Sequence, residues 1–199
     1  MPAGAPPFVG LTGGMGAGKS TALGMLEELG AATLSTDAVV HELLESDEMR
    51  DQLVARFGEQ VAPDGRIDRN AVGTLVFEQP DERKWLEGVL WPRVGERVER
   101  WRREQAAREP RPRALVVEVP LLFEAGMEAV FDHTIAVVTD EEAIAERTAD
   151  RGHAGVASRT SRQLSQKEKA ERAEYVVRND GDLDELRVTL SGLLANIGT

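Results

Sequence analysis

Cysteine is absent from this chain of 199 residues, which removes disulfides, zinc-thiolate sites and thiol nucleophiles from its chemistry and fits a reducing compartment. Positive charge is also scarce. The formal net charge is -11, which argues against non-specific binding to nucleic acid or to an anionic membrane. No stretch approaches the roughly 18 apolar residues of a membrane span. The opening Met-Pro-Ala-Gly-Ala-Pro-Pro lacks the basic segment and apolar core of a secretory leader, so the expectation is a soluble, cytoplasmic protein. Internal repeats and low-complexity tracts are missing as well. So are the Asn/Thr-Lys-x-Asp and Asp-x-x-Gly patterns of a guanine-nucleotide switch, which excludes a regulatory GTPase.

Only four lysines occur, and one of them, Lys19, stands inside Gly13-Gly14-Met15-Gly16-Ala17-Gly18-Lys19-Ser20. This run fits G-x-x-x-x-G-K-[ST], follows the apolar Phe8–Leu11 and precedes a helical pattern, the context that a phosphate-binding loop requires. Polyphosphate needs several backbone N–H groups turned onto one concave surface, and the glycines permit that backbone. Lys19 is expected to bridge β- and γ-phosphates and Ser20 to reach a magnesium ion, with the following helix N-terminus facing the anion.

The rest of the chain reads as strands alternating with helices. Phe8–Leu11 is a strand, Lys19–Leu29 a helix stopped by Gly30, and Ala32–Ser35 a second strand, forming a βαβ unit. Asp37, just past that strand at the edge where ligands bind in such sheets, serves equally as a helix N-cap or as a catalytic carboxylate. Residues 47–112 show helices and turns without a strand, far more than an ordinary crossover, and are expected to form an inserted helical subdomain able to hold a second substrate. Within it Asp68 caps a helix, and Trp91-Pro92 marks a kink or a new start. Ala114–Val119 is a buried strand in which Glu118 is either a magnesium-supporting acid or an isolated polar position. The Pro120–Glu124 segment that follows supplies either core or substrate walls. Thr134–Val138 and Glu174–Val177 complete five strands of a parallel α/β sheet.

Between Arg147 and Arg172 lies a basic island in this acidic chain: Arg147, Arg151, Arg159, Arg162, Lys167, Lys169 and Arg172 against Asp150, Glu168 and Glu171. It reads as a lid, residues 147–172, that closes arginines over transferring phosphates. The implied chemistry is phosphoryl transfer from a nucleoside triphosphate. A nucleoside or nucleotide kinase and a nucleotide-sensing binding module are the competing readings, and turnover separates the last from an enzyme.

In this order, Val9–Thr21, Thr36-Asp37, Phe57-Gly58, Asp64–Arg69, Val119–Glu124, Arg159 with Gln163, and Tyr175–Asn179 resemble the dephospho-CoA kinase family over nearly the whole chain. The resemblance implies a P-loop kinase with a five-stranded parallel sheet, a helical substrate-binding subdomain and a lid. It implies ATP-dependent phosphorylation of the ribose 3′-hydroxyl of dephospho-CoA, the last step of coenzyme A synthesis, with Mg2+ and with no nucleic-acid or membrane partner. By the same resemblance Asp37 is the general base. Residues 13–21 with Arg147 and Arg151 are the candidate ATP-binding set, and Ser20 and Glu118 are the candidate metal ligands. Arg69, Trp91, Leu121, Phe123, Glu124 and Arg159 face the acceptor together with Asp37. Four places depart from the family pattern: its Asp-Ala-Asp reads Ser35-Thr36-Asp37, the Arg four residues on is His41, its His-Pro is Trp91-Pro92, and its late Ala-Asp is Ala173-Glu174.

Overall fold

Five parallel strands run in the order β2-β3-β1-β4-β5, which places the first strand of the chain in the middle of the sheet. The computed structural model describes residues 4–140 and 163–198. The strands are β1 (Phe8–Gly13), β2 (Ala32–Ser35), β3 (Leu115–Glu118), β4 (His133–Val138) and β5 (Tyr175–Arg178). The helices are α1 (Lys19–Glu28), α2 (Thr36–Leu44), α3 (Asp47–Phe57), α4 (Arg69–Glu78), α5 (Pro80–Ala106), α6 (Gln166–Arg172) and α7 (Leu183–Ile197).

Every residue of β1 is buried, as an apolar strand paired on both sides should be. It pairs with β3 from Phe8↔Leu115 to Leu11↔Glu118 and with β4 from Val9↔His133 to Gly13↔Val137. Ser35 of β2 pairs with Glu118, so the carboxyl ends of β2, β3 and β1 align in one row. On the sheet, Ala22 and Leu26 of α1 and Leu186, Leu190, Leu193, Leu194 and Ile197 of α7 join Val9, Leu11, Val116, Ile135, Val137 and Val177 in one core. The α7 residues recur at the three- and four-residue spacing of one helix face.

The chain forms two units, Met1–Ser35 with Trp101–Thr199, and Thr36–Arg100. The second is wholly helical apart from its turns and has its own core of Met49, Leu53, Val61, Val72, Leu86 and Leu90. Two of its helices, α3 and α4, start where a side chain satisfies their free amides. Ser46 Oγ accepts from Met49 N, and Asp68 Oδ1 accepts from Asn70 N at 2.9 Å and Ala71 N at 3.2 Å. Asp68→Ala is expected to cost about 1 kcal/mol of stability. Urea denaturation reads this directly, and an unchanged midpoint would refute the cap.

Two local expectations are corrected. The helix after β2 starts at Thr36, so Asp37 lies inside its first turn and is not the residue that caps it. Trp91-Pro92 neither ends nor restarts a helix, because α5 runs through Pro92 from Pro80 to Ala106. Pro92 removes the amide that would serve the Gly88 carbonyl in the helical ladder, and the Arg93 guanidinium donates to the next carbonyl, Val89 O, at 2.8 Å.

Candidate active site

The phosphate loop leaves the carboxyl end of the central strand, where β1 hands over at Gly13. At its far end Gly18 sits just before α1 with φ 88°, a left-handed conformation in which a side chain would be strained. That angle lets the loop reverse and lead directly into the helix whose N-terminus faces it. Inside the loop, Ala17 N donates to the Gly14 carbonyl at 3.3 Å, and Lys19 Nζ donates to the same oxygen at 3.0 Å. The lysine is therefore folded over its own loop, with its ammonium at the entry glycines. Ser20 and Thr21, in the first turn of α1, are exposed.

Two further side chains hold the loop from a distance in sequence. Asn179, buried directly after β5, donates through Nδ2 to the Ala17 carbonyl at 2.9 Å, while its own carbonyl accepts from Thr139 Oγ1 at 2.9 Å. Gln166 presses on the loop at Gly14, where an added Cβ would stand 2.8 Å from Gln166 Cγ. In the sequence Asn179 stands only as the last residue of the Tyr175–Asn179 segment, and Gln166 has no assigned role. The one local signal for Asn179 is its place right after the last strand, at the carboxyl edge of the sheet.

The acidic candidates differ in setting. Glu118 ends β3 and is 6% exposed, in the row of strand ends beside Leu11 and Ser35. Asp37 is exposed on the first turn of α2, two residues beyond the end of β2. In the segment after β3, Leu121 is half-buried and Phe123 is 2% exposed, with the Arg172 guanidinium 4.9 Å from its ring centre. Glu124 Oε1 accepts from Leu164 N at 2.7 Å and from Lys169 Nζ at 2.9 Å, and its buried Oε2 has no hydrogen-bond partner among the described residues. In the helical unit, Arg69 opens α4 and Trp91 stands exposed on α5.

Of the basic island, Arg147, Arg151, Arg159 and Arg162 lie outside the described residues. The described part corrects the expectation for one of these cations, Lys169, which is buried and not turned toward phosphate. Residues 166–172 form α6, where Lys167 lies 3.9 Å from Glu171, Arg172 pairs with Glu128, and Lys169 is fully buried against Glu124. Ser165 starts this helix with a capping box: its hydroxyl and amide donate to Glu168 Oε2 at 2.7 and 2.8 Å, and Glu168 N donates back at 3.2 Å. Hydrogen bonds from the Ser165 side chain, then from its backbone, hold the Glu168 carboxyl below its ordinary value. The stabilisation from that shift is therefore present above the unfolded carboxylate range and fades as pH falls through the folded one.

The family described as dephospho-CoA kinase matches residues 7–185. A dephospho-CoA kinase of Symbiobacterium thermophilum is 41% identical over 186 residues, covering 90% of this chain and 77% of that protein. One from Protochlamydia amoebophila is 37% identical over 190 residues, covering 93% of each. Among solved structures, TT1252 from Thermus thermophilus superposes with a TM-score of 0.80 at 32% identity, covering 96% of this chain and 98% of that one.

Proposed function

The chain belongs to the dephospho-CoA kinase family, and we propose how its own residues divide the work of moving the γ-phosphoryl group of ATP to the ribose 3′-hydroxyl of dephospho-CoA. The observation that carries the donor side is the loop at the end of the central strand, with Lys19 folded over its entry. Its backbone amides, from Gly13 through Thr21, cradle the β- and γ-phosphates, and the Lys19 ammonium meets the charge on their oxygens. Arg147 and Arg151 are assigned to the same charge from the 147–172 segment.

On the acceptor side Asp37 takes the proton of the 3′-hydroxyl as its oxygen attacks the γ-phosphorus. The bond from that phosphorus to the β–γ bridging oxygen breaks, and ADP leaves with the electron pair. Exposure of Asp37 supports this role, since a base must be reachable by the hydroxyl it serves. The helical unit, through Arg69 and Trp91, is assigned to the coenzyme moiety, as are Leu121, Phe123, Glu124 and Arg159.

The donor set fits magnesium. Ser20 supplies a hydroxyl and Glu118 a carboxylate, both hard oxygen ligands, and no group of three or more His, Cys, Asp or Glu among the described residues forms an all-protein cage. Magnesium characteristically takes one or two protein oxygens and completes its shell with phosphate and water. When bound it would neutralise charge on the phosphates, and Ser20 and Glu118 would hold it. No helix among the described residues is long and apolar enough to cross a membrane, and we assign the enzyme to the cytoplasm.

An ADP-release assay that offers dephospho-CoA, adenosine and nucleoside monophosphates in parallel tests the acceptor assignment. Turnover is expected with dephospho-CoA far above the others. Equal or greater turnover with a nucleoside or nucleotide would overturn it.

A further inference from the structure

A lysine with no exposed surface cannot meet a phosphate, yet an unpaired ammonium in a protein interior carries a penalty of several kcal/mol. Lys169 resolves this by using all three of its N–H donors. They reach Pro120 O at 2.5 Å, Glu124 Oε1 at 2.9 Å and Thr12 Oγ1 at 3.3 Å. The three acceptors belong to two different strand exits. Thr12 is the residue before Gly13, where β1 enters the phosphate loop, and Pro120 and Glu124 lie in the segment leaving β3. Thr12 Oγ1 also donates to Pro120 O at 3.3 Å, so one ammonium closes a small network across neighbouring strands.

The neighbours of Lys169 on α6 act in the same direction. Gln166, one turn earlier, exchanges two hydrogen bonds with the Thr139 backbone just past β4, accepting from its amide at 2.9 Å and donating to its carbonyl at 3.0 Å. Arg172, one turn later, covers Phe123 and pairs with Glu128. Residues 166, 169 and 172 thus share one face of α6 and grip the chain after β1, β3 and β4 together. Buried ion pairs contribute little net stability compared with apolar packing of the same volume, so stability alone gives little reason for a charged residue here, whereas a fixed geometry does.

We infer that Lys169 is a positioning residue for phosphoryl transfer: by holding Thr12, Pro120 and Glu124 at once, it sets the separation between the phosphate loop and the segment after β3. It touches neither substrate. The inference rests on the ATP-holding role proposed above for Gly13–Ser20, and the two fail separately, because that role is lost if the unaltered enzyme shows no saturable dependence on ATP.

Lys169→Met keeps the length of the stem and removes the three donors. With protein confirmed folded by circular dichroism and assayed well below its melting temperature, kcat is expected to fall about tenfold or more, with a higher KM for ATP. A role confined to stability would lower Tm and leave both constants per folded molecule unchanged, and that result overturns the inference. Should Lys169→Met fail to fold, Thr12→Val removes one acceptor and leaves the other two in place. It is expected to raise the KM for ATP about threefold, and with wild-type constants for that variant the proposal falls.

Discussion

Asp37→Asn is expected to lower kcat for dephospho-CoA phosphorylation by about 10²- to 10⁴-fold while leaving ATP affinity close to that of the unaltered enzyme. The amide keeps the size and shape of the side chain but cannot accept the hydroxyl proton. Asp37 stands in the first turn of α2 and is exposed, so the substitution disturbs no buried contact. Steady-state kinetics with a separate measurement of ATP binding decide the matter. Near-normal turnover would remove Asp37 as the base. A parallel loss of ATP binding would instead assign it to the donor side.

Lys19→Ala should damage both halves of the donor function. Its Nζ lies over the loop at 3.0 Å from the Gly14 carbonyl, and without it the loop retains its amides but loses the one side-chain cation within it. Charge that develops on the transferring phosphoryl group is then unmet, and kcat is expected to fall on the order of 10²- to 10³-fold with weaker ATP binding. Equilibrium binding of ATP, measured beside turnover, separates the two effects. Unchanged kinetics would contradict the role. Because Asp37→Asn spares ATP binding and Lys19→Ala does not, the pair of variants distinguishes acceptor-side from donor-side chemistry.

Much of the local architecture was legible before any coordinates. Asp68 starts its helix as its residue type requires, and the five strands lie within a residue or two of their expected places. These features depend on interactions within one turn or one strand, where side-chain type and spacing carry the signal. Of the two readings of Pro92, the new start fails because the proline's local preference was overridden by the surrounding helix, which runs from Pro80 to Ala106. Lys169 misled for a different reason. Its charge and its neighbours read as a phosphate-facing cluster, and nothing within ten residues of it announces the half-buried Glu124 and the buried Thr12 that it meets.

The sequence by itself determined the phosphate loop, the identity of its lysine and hydroxyl, the alternation of strand and helix, and the family. All of these are written in contiguous residues whose backbone demands are local. Only the tertiary structure decided that β1 lies at the centre of the sheet, that Asn179 and Gln166 secure the loop, and that Lys169 braces two strand exits from inside the protein. Those pairings join residues far apart in the chain, Ala17 to Asn179 by 162 positions and Thr12 to Lys169 by 157, and a hydrogen bond formed on folding leaves no mark in the spacing of either partner.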